Sequence, residues 1–268
     1  MESKIKLPGT LRVIHAIGRV TFFEIIRDKV LYNIFLCTFL LFGVGWLASK
    51  LTVIRPERVI LDFGLATVGL SCAVIALFTG AGMLGRELER RTVHVALSRP
   101  ISRAQFVLGK FSGLAAVLAL NWFLLAGAFL GLLCLTSEGG SVLFSSTLGI
   151  ALGLILIQGL LLASLSILIS TLSTTSLTVI LSLGLYLIGN TISQLRMVAV
   201  RSESSFGRFV LNSVATVLPN FEYFNLGNQV TYGLAVSWKY VGLSILYGCV
   251  MIAISLILAG LLIEVREV

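Results

Sequence analysis

The chain has 268 residues, of which 57% are hydrophobic and only 12% charged, and its mean hydropathy is +1.02. A soluble globular domain carries roughly 25% charged residues, so a water-soluble enzyme or regulator is excluded and a polytopic membrane protein is expected. The net charge of +8 does not point to nucleic acid, because the basic residues flank apolar runs, the pattern of membrane orientation and of contact with anionic lipid heads.

In chain order, Thr10 to Lys29, "TLRVIHAIGRVTFFEIIRDK", has helical periodicity. Leu11, Ile14, Thr21, Phe22 and Ile25 share one side, and Arg12, His15, Arg19 and Arg27 the other. Glu24 and Asp28 interrupt the stripe. The pattern predicts an interfacial helix, with an ordinary cytoplasmic helix as the alternative. The mixed residues ahead of the first apolar run do not suit a cleavable signal, so the first span is expected to be an uncleaved anchor.

A membrane span needs about 20 apolar residues. Six runs meet or approach that length: 31–48, 63–84, 111–136, 146–169, 176–195 and 240–263. The hydroxyl-rich "STLSTTS", Ser170–Ser176, is expected to be the turn between the fourth and fifth. With the N-terminus in the cytoplasm, 13 Lys and Arg lie inside and 7 outside, which favours cytoplasmic placement of both termini. The segment Leu195–Lys239 is apolar enough for short helices in the outer leaflet, and Pro219 should stop any helix arriving from Phe206.

Catalytic chemistry is missing. Gly80–Gly85, "GAGMLG", has the glycine spacing of a phosphate loop, but Arg86 and Glu87 stand where Lys and Ser/Thr are needed. Cys37, Cys72, Cys134 and Cys249 lie in apolar runs with no CxxC pair, so neither a disulfide framework nor a metal site is expected. The spans carry no charge at mid-depth, which removes the usual means of ion coupling. Asn121, Gln158 and Asn190 are mild polar groups that either bond a neighbouring helix or line a substrate path. Energy for any uphill movement must come from another protein.

The polar stretch between spans two and three stands out. Glu87, Glu89, Arg90 and Arg91 are expected to begin a short cytoplasmic helix carrying Val93, Ala96 and Leu97. Pro100 should end it, and Ser102 should cap a new helix running into span three. Such a helix is either a lever that passes force from a soluble partner or a solvated hairpin, and the residues alone leave both open.

"ELERRTV…LSRPISR…FVLGKFSG", Glu87 to Gly113, resembles the signature of ABC type-2 permeases, the membrane subunits of one class of ATP-driven exporter. Many members have Gly-Thr where this chain has Arg91-Thr92. "FFEIIRDK", Phe22–Lys29, and "LPNFEYFNL", Leu218–Leu226, resemble the segments before the first and last spans of that family. The resemblance implies one all-α transmembrane domain of six helices in the cytoplasmic (inner) membrane of a prokaryote. It further implies a connecting helix around Thr10–Lys29, a coupling helix at Glu87–Leu97 and short outer-leaflet helices before span six. Two separate ATPase subunits would bind ATP and Mg, this chain holding no cofactor itself, and a second permease subunit would complete a homodimer or heterodimer. A non-transporting mechanical relay is the alternative, and a channel or intramembrane enzyme a more distant one.

Overall fold

The structure, a computed structural model, describes residues 10–27, 31–51, 56–89, 102–136, 146–201 and 205–266. Every regular element among them is helical. In order these are α1 (Thr10–Ile25), α2 (Leu31–Leu51), α3 (Pro56–Glu89), α4 (Arg103–Thr136), α5 (Ser146–Ser170) and α6 (Thr175–Gly189). Then come α7 (Ile192–Arg201), α8 (Ser205–Val217), a single 3-10 turn at Glu222–Phe224, α9 (Gly227–Thr231) and α10 (Trp238–Arg266).

Among the described residues, α3, α4, α5 and α10 are each long and apolar enough to cross a membrane. The pair α6 and α7, bent by 66°, passes the same test as one broken span. A shorter apolar stretch, Leu36–Gly45, lies within α2.

Helix α5 is the centre of the bundle. It packs against α3, α4, α6 and α10, and its buried residues, among them Leu148, Leu152, Leu154, Leu161 and Ile167, leave no polar stripe. Helices in lipid gain little from burying apolar surface against each other, so packing and interhelical hydrogen bonds must hold them. Both are present. Trp122 Nε1 donates to the Leu152 carbonyl at 2.8 Å, tying α4 to α5. Phe129 of α4 is fully buried, and its ring lies so close to Gly64 of α3 that a methyl group there would come within 2.0 Å of it. Helix α10 is different: only 22% of its apolar window is buried, which makes it a peripheral helix whose Leu243, Leu246, Ile257 and Leu261 face outward.

Two expectations need correction. Glu87 and Glu89 do not begin a separate helix; they lie in the last turn of α3, which runs unbroken from Pro56. No proline interrupts that stretch, and Gly80 is held in the helix by packing, since a methyl group there would come within 2.8 Å of Ser166 Cβ on α5. Gly80–Gly85 is therefore helix, with its backbone N–H groups committed to the helical ladder and not to a phosphate. The fifth apolar run does not continue straight to residue 195, because α6 stops at Gly189 and α7 leaves at the 66° bend. The cause is local and distant at once. Asn190 Nδ2 donates to the Tyr186 carbonyl at 2.8 Å, and the Thr191 hydroxyl donates to the Leu187 and Ile188 carbonyls, both at 3.1 Å. The Phe221 N–H takes the Gly189 carbonyl at 2.9 Å. Gly189 has to be glycine for that approach: a methyl group would meet Phe221 Cδ2 at 2.3 Å and the Pro219 carbonyl oxygen at 2.8 Å. On the apolar side of α1, Thr21 and Ile25 are buried together with Gly18, while Leu11 is exposed.

Other expectations hold. The turn after α5 falls at Thr171–Thr174. Helix α8 ends at Val217, two residues before Pro219. Helix α4 starts directly after Ser102.

Candidate functional site

The start of α4 is built to be stiff. Ser102 Oγ accepts the Gln105 N–H at 3.3 Å, and Gln105 Oε1 accepts the Ser102 N–H at 3.0 Å. This reciprocal pair is a capping box, which satisfies two backbone donors that a helix start leaves open. One turn further on, α4 meets α1 through glycines. A methyl group on Gly18 would lie 2.4 Å from Ser112 Oγ, and one on Gly113 would lie 2.7 Å from the Gly18 carbonyl oxygen. One on Gly109 would lie 2.7 Å from Ile17 Cβ. The two backbones thus touch over one full turn, which gives the "GKFSG" of the signature a packing reason. Ser112 Oγ keeps its own donor occupied on the Gly109 carbonyl at 2.8 Å.

Lys110 lies in the same seam. Its side chain is buried beside the Phe106 ring at 5.8 Å, and Nζ stands 3.8 Å from Glu24 Oε2 of α1. Burial of a lysine is tolerated when its charge is met and its stem is packed. The other charged residues assigned to α1, Arg12, Arg19 and Arg27, are exposed, as is Glu24. Arg19 lies 5.9 Å from the exposed Phe23 ring.

Of the residues assigned to the coupling segment, Glu87 and Glu89 close α3. Arg90, Arg91, Val93, Ala96 and Leu97 lie outside the described residues.

At the opposite end of the bundle is a cleft of about 470 Å³. Its polar wall is Asp62, Gln158, Tyr186, Asn190 and Asn225, and Leu65, Leu70 and Ile155 are among its apolar residues. Gln158 Nε2 donates to Asn190 Oδ1 at 3.1 Å, so two of the three polar residues singled out in the sequence come together here. Asn121 goes elsewhere. It is fully buried in the bundle, accepting from Ser71 Oγ at 3.2 Å and donating to Cys72 Sγ at 3.7 Å across α3 and α4. Its contacts are those of an interhelical hydrogen bond.

The segment after α8 closes over this end. Tyr247 Oη of α10 accepts the Asn220 N–H at 2.9 Å, and Asn220 Oδ1 accepts the Glu222 N–H at 2.9 Å. The Glu222 carboxylate accepts the Ser193 N–H at 3.1 and 3.0 Å and also the Ser193 hydroxyl. It thereby meets the open donors, and the positive pole, at the start of α7. The Thr231 hydroxyl of α9 donates to Asp62 of α3, and the Arg58 guanidinium stacks on the Tyr232 ring at 5.3 Å. Asp62, Tyr186, Asn225 and Glu222 were not singled out in the sequence. "LPNFEYFNL" contains two of them, and an acid at the edge of an apolar run was a signal for a third.

No curated protein matches the chain. Residues 52–263, which hold the cleft and α4 but not α1, match the family described as ABC-2 family transporter protein. That family implies association with an ABC ATPase subunit. Its membrane components carry no ATPase site, in keeping with the helical state of Gly80–Gly85. Given this match over most of its length and a bundle of apolar helices, the chain belongs to the ABC-2 family of transporter proteins and is a multi-pass membrane permease component of an ABC transporter.

Proposed function

We propose that the protein is the permease subunit of an exporter, moving its substrate across the cytoplasmic membrane with ATP hydrolysed by two separate ATPase subunits. The chain spans the membrane six times in this reading. The spans are α2, α3, α4, α5, the α6–α7 pair and α10, with both termini cytoplasmic and a second permease subunit completing the complex. Segment 87–101 is the contact with the ATPase. Glu87, Glu89, Arg90 and Arg91 pair with it, and Val93, Ala96 and Leu97 supply the apolar contact.

The observation that carries the reading is the glycine seam. Segment 90–101 joins α3 to the capped start of α4, and that start is fixed to α1 by backbone contact at Gly18, Gly109 and Gly113. A displacement passed to the start of α4 therefore carries α1 with it. Exposed ion pairs are worth only about 0–1 kcal/mol, so single charge reversals should be mild. A charge at an apolar contact is desolvated on docking and does more. The test is a pull-down of the ATPase by correctly inserted Val93→Asp and Leu97→Asp variants. Both should lose the partner. Retention of the partner with full substrate-stimulated turnover in both would show the segment to be a solvated hairpin.

A further inference from the structure

We propose that the cleft at the Asp62 end of the bundle binds an amphipathic amine. The protonated head sits against the oxygens of Asp62, Asn190 and Asn225, and the apolar body lies along Leu65, Leu70 and Ile155. This deepens the transport reading, on which its physiological meaning rests, by naming the substrate class.

Size comes first. At about 470 Å³ the cleft falls within the roughly 300–1,000 Å³ of small-molecule sites, and a mostly apolar lining with a few convergent polar groups is their usual make-up. The sign of charge comes next. Asp62 is the one ionisable carboxylate among the residues lining the cleft, and no Lys or Arg is among them. Arg58, one helical turn from Asp62, lies over the Tyr232 ring, and Asp62 accepts a hydrogen bond from the Thr231 hydroxyl. A phosphate or carboxylate head would be repelled here and find no counter-charge.

Hydrogen-bond capacity also suits an amine. One N–H of the Asn190 amide donates to the Tyr186 carbonyl, and one N–H of Gln158 donates to Asn190 Oδ1. Asn190 Oδ1 already accepts from Gln158, Asn225 Oδ1 from the Gly227 N–H at 3.0 Å, and Asp62 from Thr231, but a carboxylate has about four acceptor positions and an amide oxygen two, so each keeps at least one lone pair. An ammonium group brings three donors and no acceptor. It is the head that such a wall satisfies without leaving an acceptor of its own unmet.

The experiment is equilibrium binding of radiolabelled dodecylamine to the full chain in phosphatidylcholine nanodiscs, with empty discs subtracted. Dodecanol and dodecyl phosphate serve as competitors. Saturable binding is expected, displaced by other alkylamines and not by the alcohol or the phosphate. Asp62→Asn should weaken it roughly tenfold or more, the scale of a charged hydrogen bond. Leu70→Trp should weaken it by narrowing the apolar wall. Thr231→Val removes the internal partner of Asp62 while keeping the carboxylate, and should retain the wild-type affinity. Equal binding by wild type and Asp62→Asn overturns the proposal, as does equal displacement by dodecanol. So does a loss in Thr231→Val as large as that in Asp62→Asn, because Asp62 would then be only a brace between α3 and α9. ATPase co-purification is scored separately. Amine binding without any ATPase partner would defeat the exporter reading and leave this one standing, and coupled turnover without amine preference would do the reverse.

Discussion

Gln158 in the middle of α5 reaches Asn190, the residue at which α6 breaks, with an Nε2 to Oδ1 distance of 3.1 Å. The bond therefore fixes where the bend sits relative to the central helix. Interhelical hydrogen bonds in membranes average about 0.6 kcal/mol and reach about 1.7. A double-mutant cycle of Gln158→Leu and Asn190→Leu, followed by unfolding in bicelles, should return a coupling energy in that range. Strict additivity would mean that the two side chains do not interact.

The glycine seam gives a steeper effect. Gly113→Ala places a methyl group 2.6 Å from Thr21 Cβ and 2.7 Å from the Gly18 carbonyl oxygen, so the two backbones must separate. Overpacking of this kind costs about 1–3 kcal/mol. Thermal unfolding in detergent should report the loss, and coupled ATPase turnover should fall with it. Gly127→Ala on the same helix is the control, because open space surrounds that position. A Gly113→Ala protein as stable and as active as Gly127→Ala would remove the seam from the mechanism.

The carboxylate of Glu222 holds the first turn of α7 through Ser193. Glu222→Gln replaces a charged acceptor by a neutral one, and loss of an N-terminal cap costs about 0.5–2 kcal/mol. Hydrogen exchange of the 192–201 amides should speed up, with the amides of α5 unchanged. An unchanged α7 would show that its start is held by packing alone.

Sidedness is open to direct measurement. Thirteen basic residues on one set of connecting segments against seven on the other predict that both termini face the cytoplasm. Cysteines placed at Arg201 or Glu138 should react with an impermeant reagent added from outside, and a cysteine at Arg91 should not. Labelling of Arg91 from outside would invert the whole arrangement.

What could be read from the chain, and what could not, follows from the range of the forces involved. Helix extents were legible because a bilayer demands a run of apolar residues, and α5 and α10 begin and end within two or three residues of the runs that announced them. The capped start at Ser102 was legible because its partner, Gln105, lies one turn away. The bend at Asn190 was not, since Gly189-Asn190-Thr191 contains no proline and the break is held by the N–H of Phe221, far along the chain. Asp62 escaped notice for a related reason. Its significance depends on α9 and Asn225, which only folding brings to it. Continuity of α3 through Glu89 was masked by its charge, which reads as a loop when only hydropathy is counted.

The shortness of α6 has one more effect. Fifteen residues at about 1.5 Å each cover roughly 22 Å, less than the roughly 30 Å of the hydrocarbon layer. In the six-span arrangement the break at Asn190 thus lies below the lipid surface, where the polar wall of the cleft can admit water. In the proposed exporter reading, a molecule leaving the cleft would cross less than the full hydrocarbon layer.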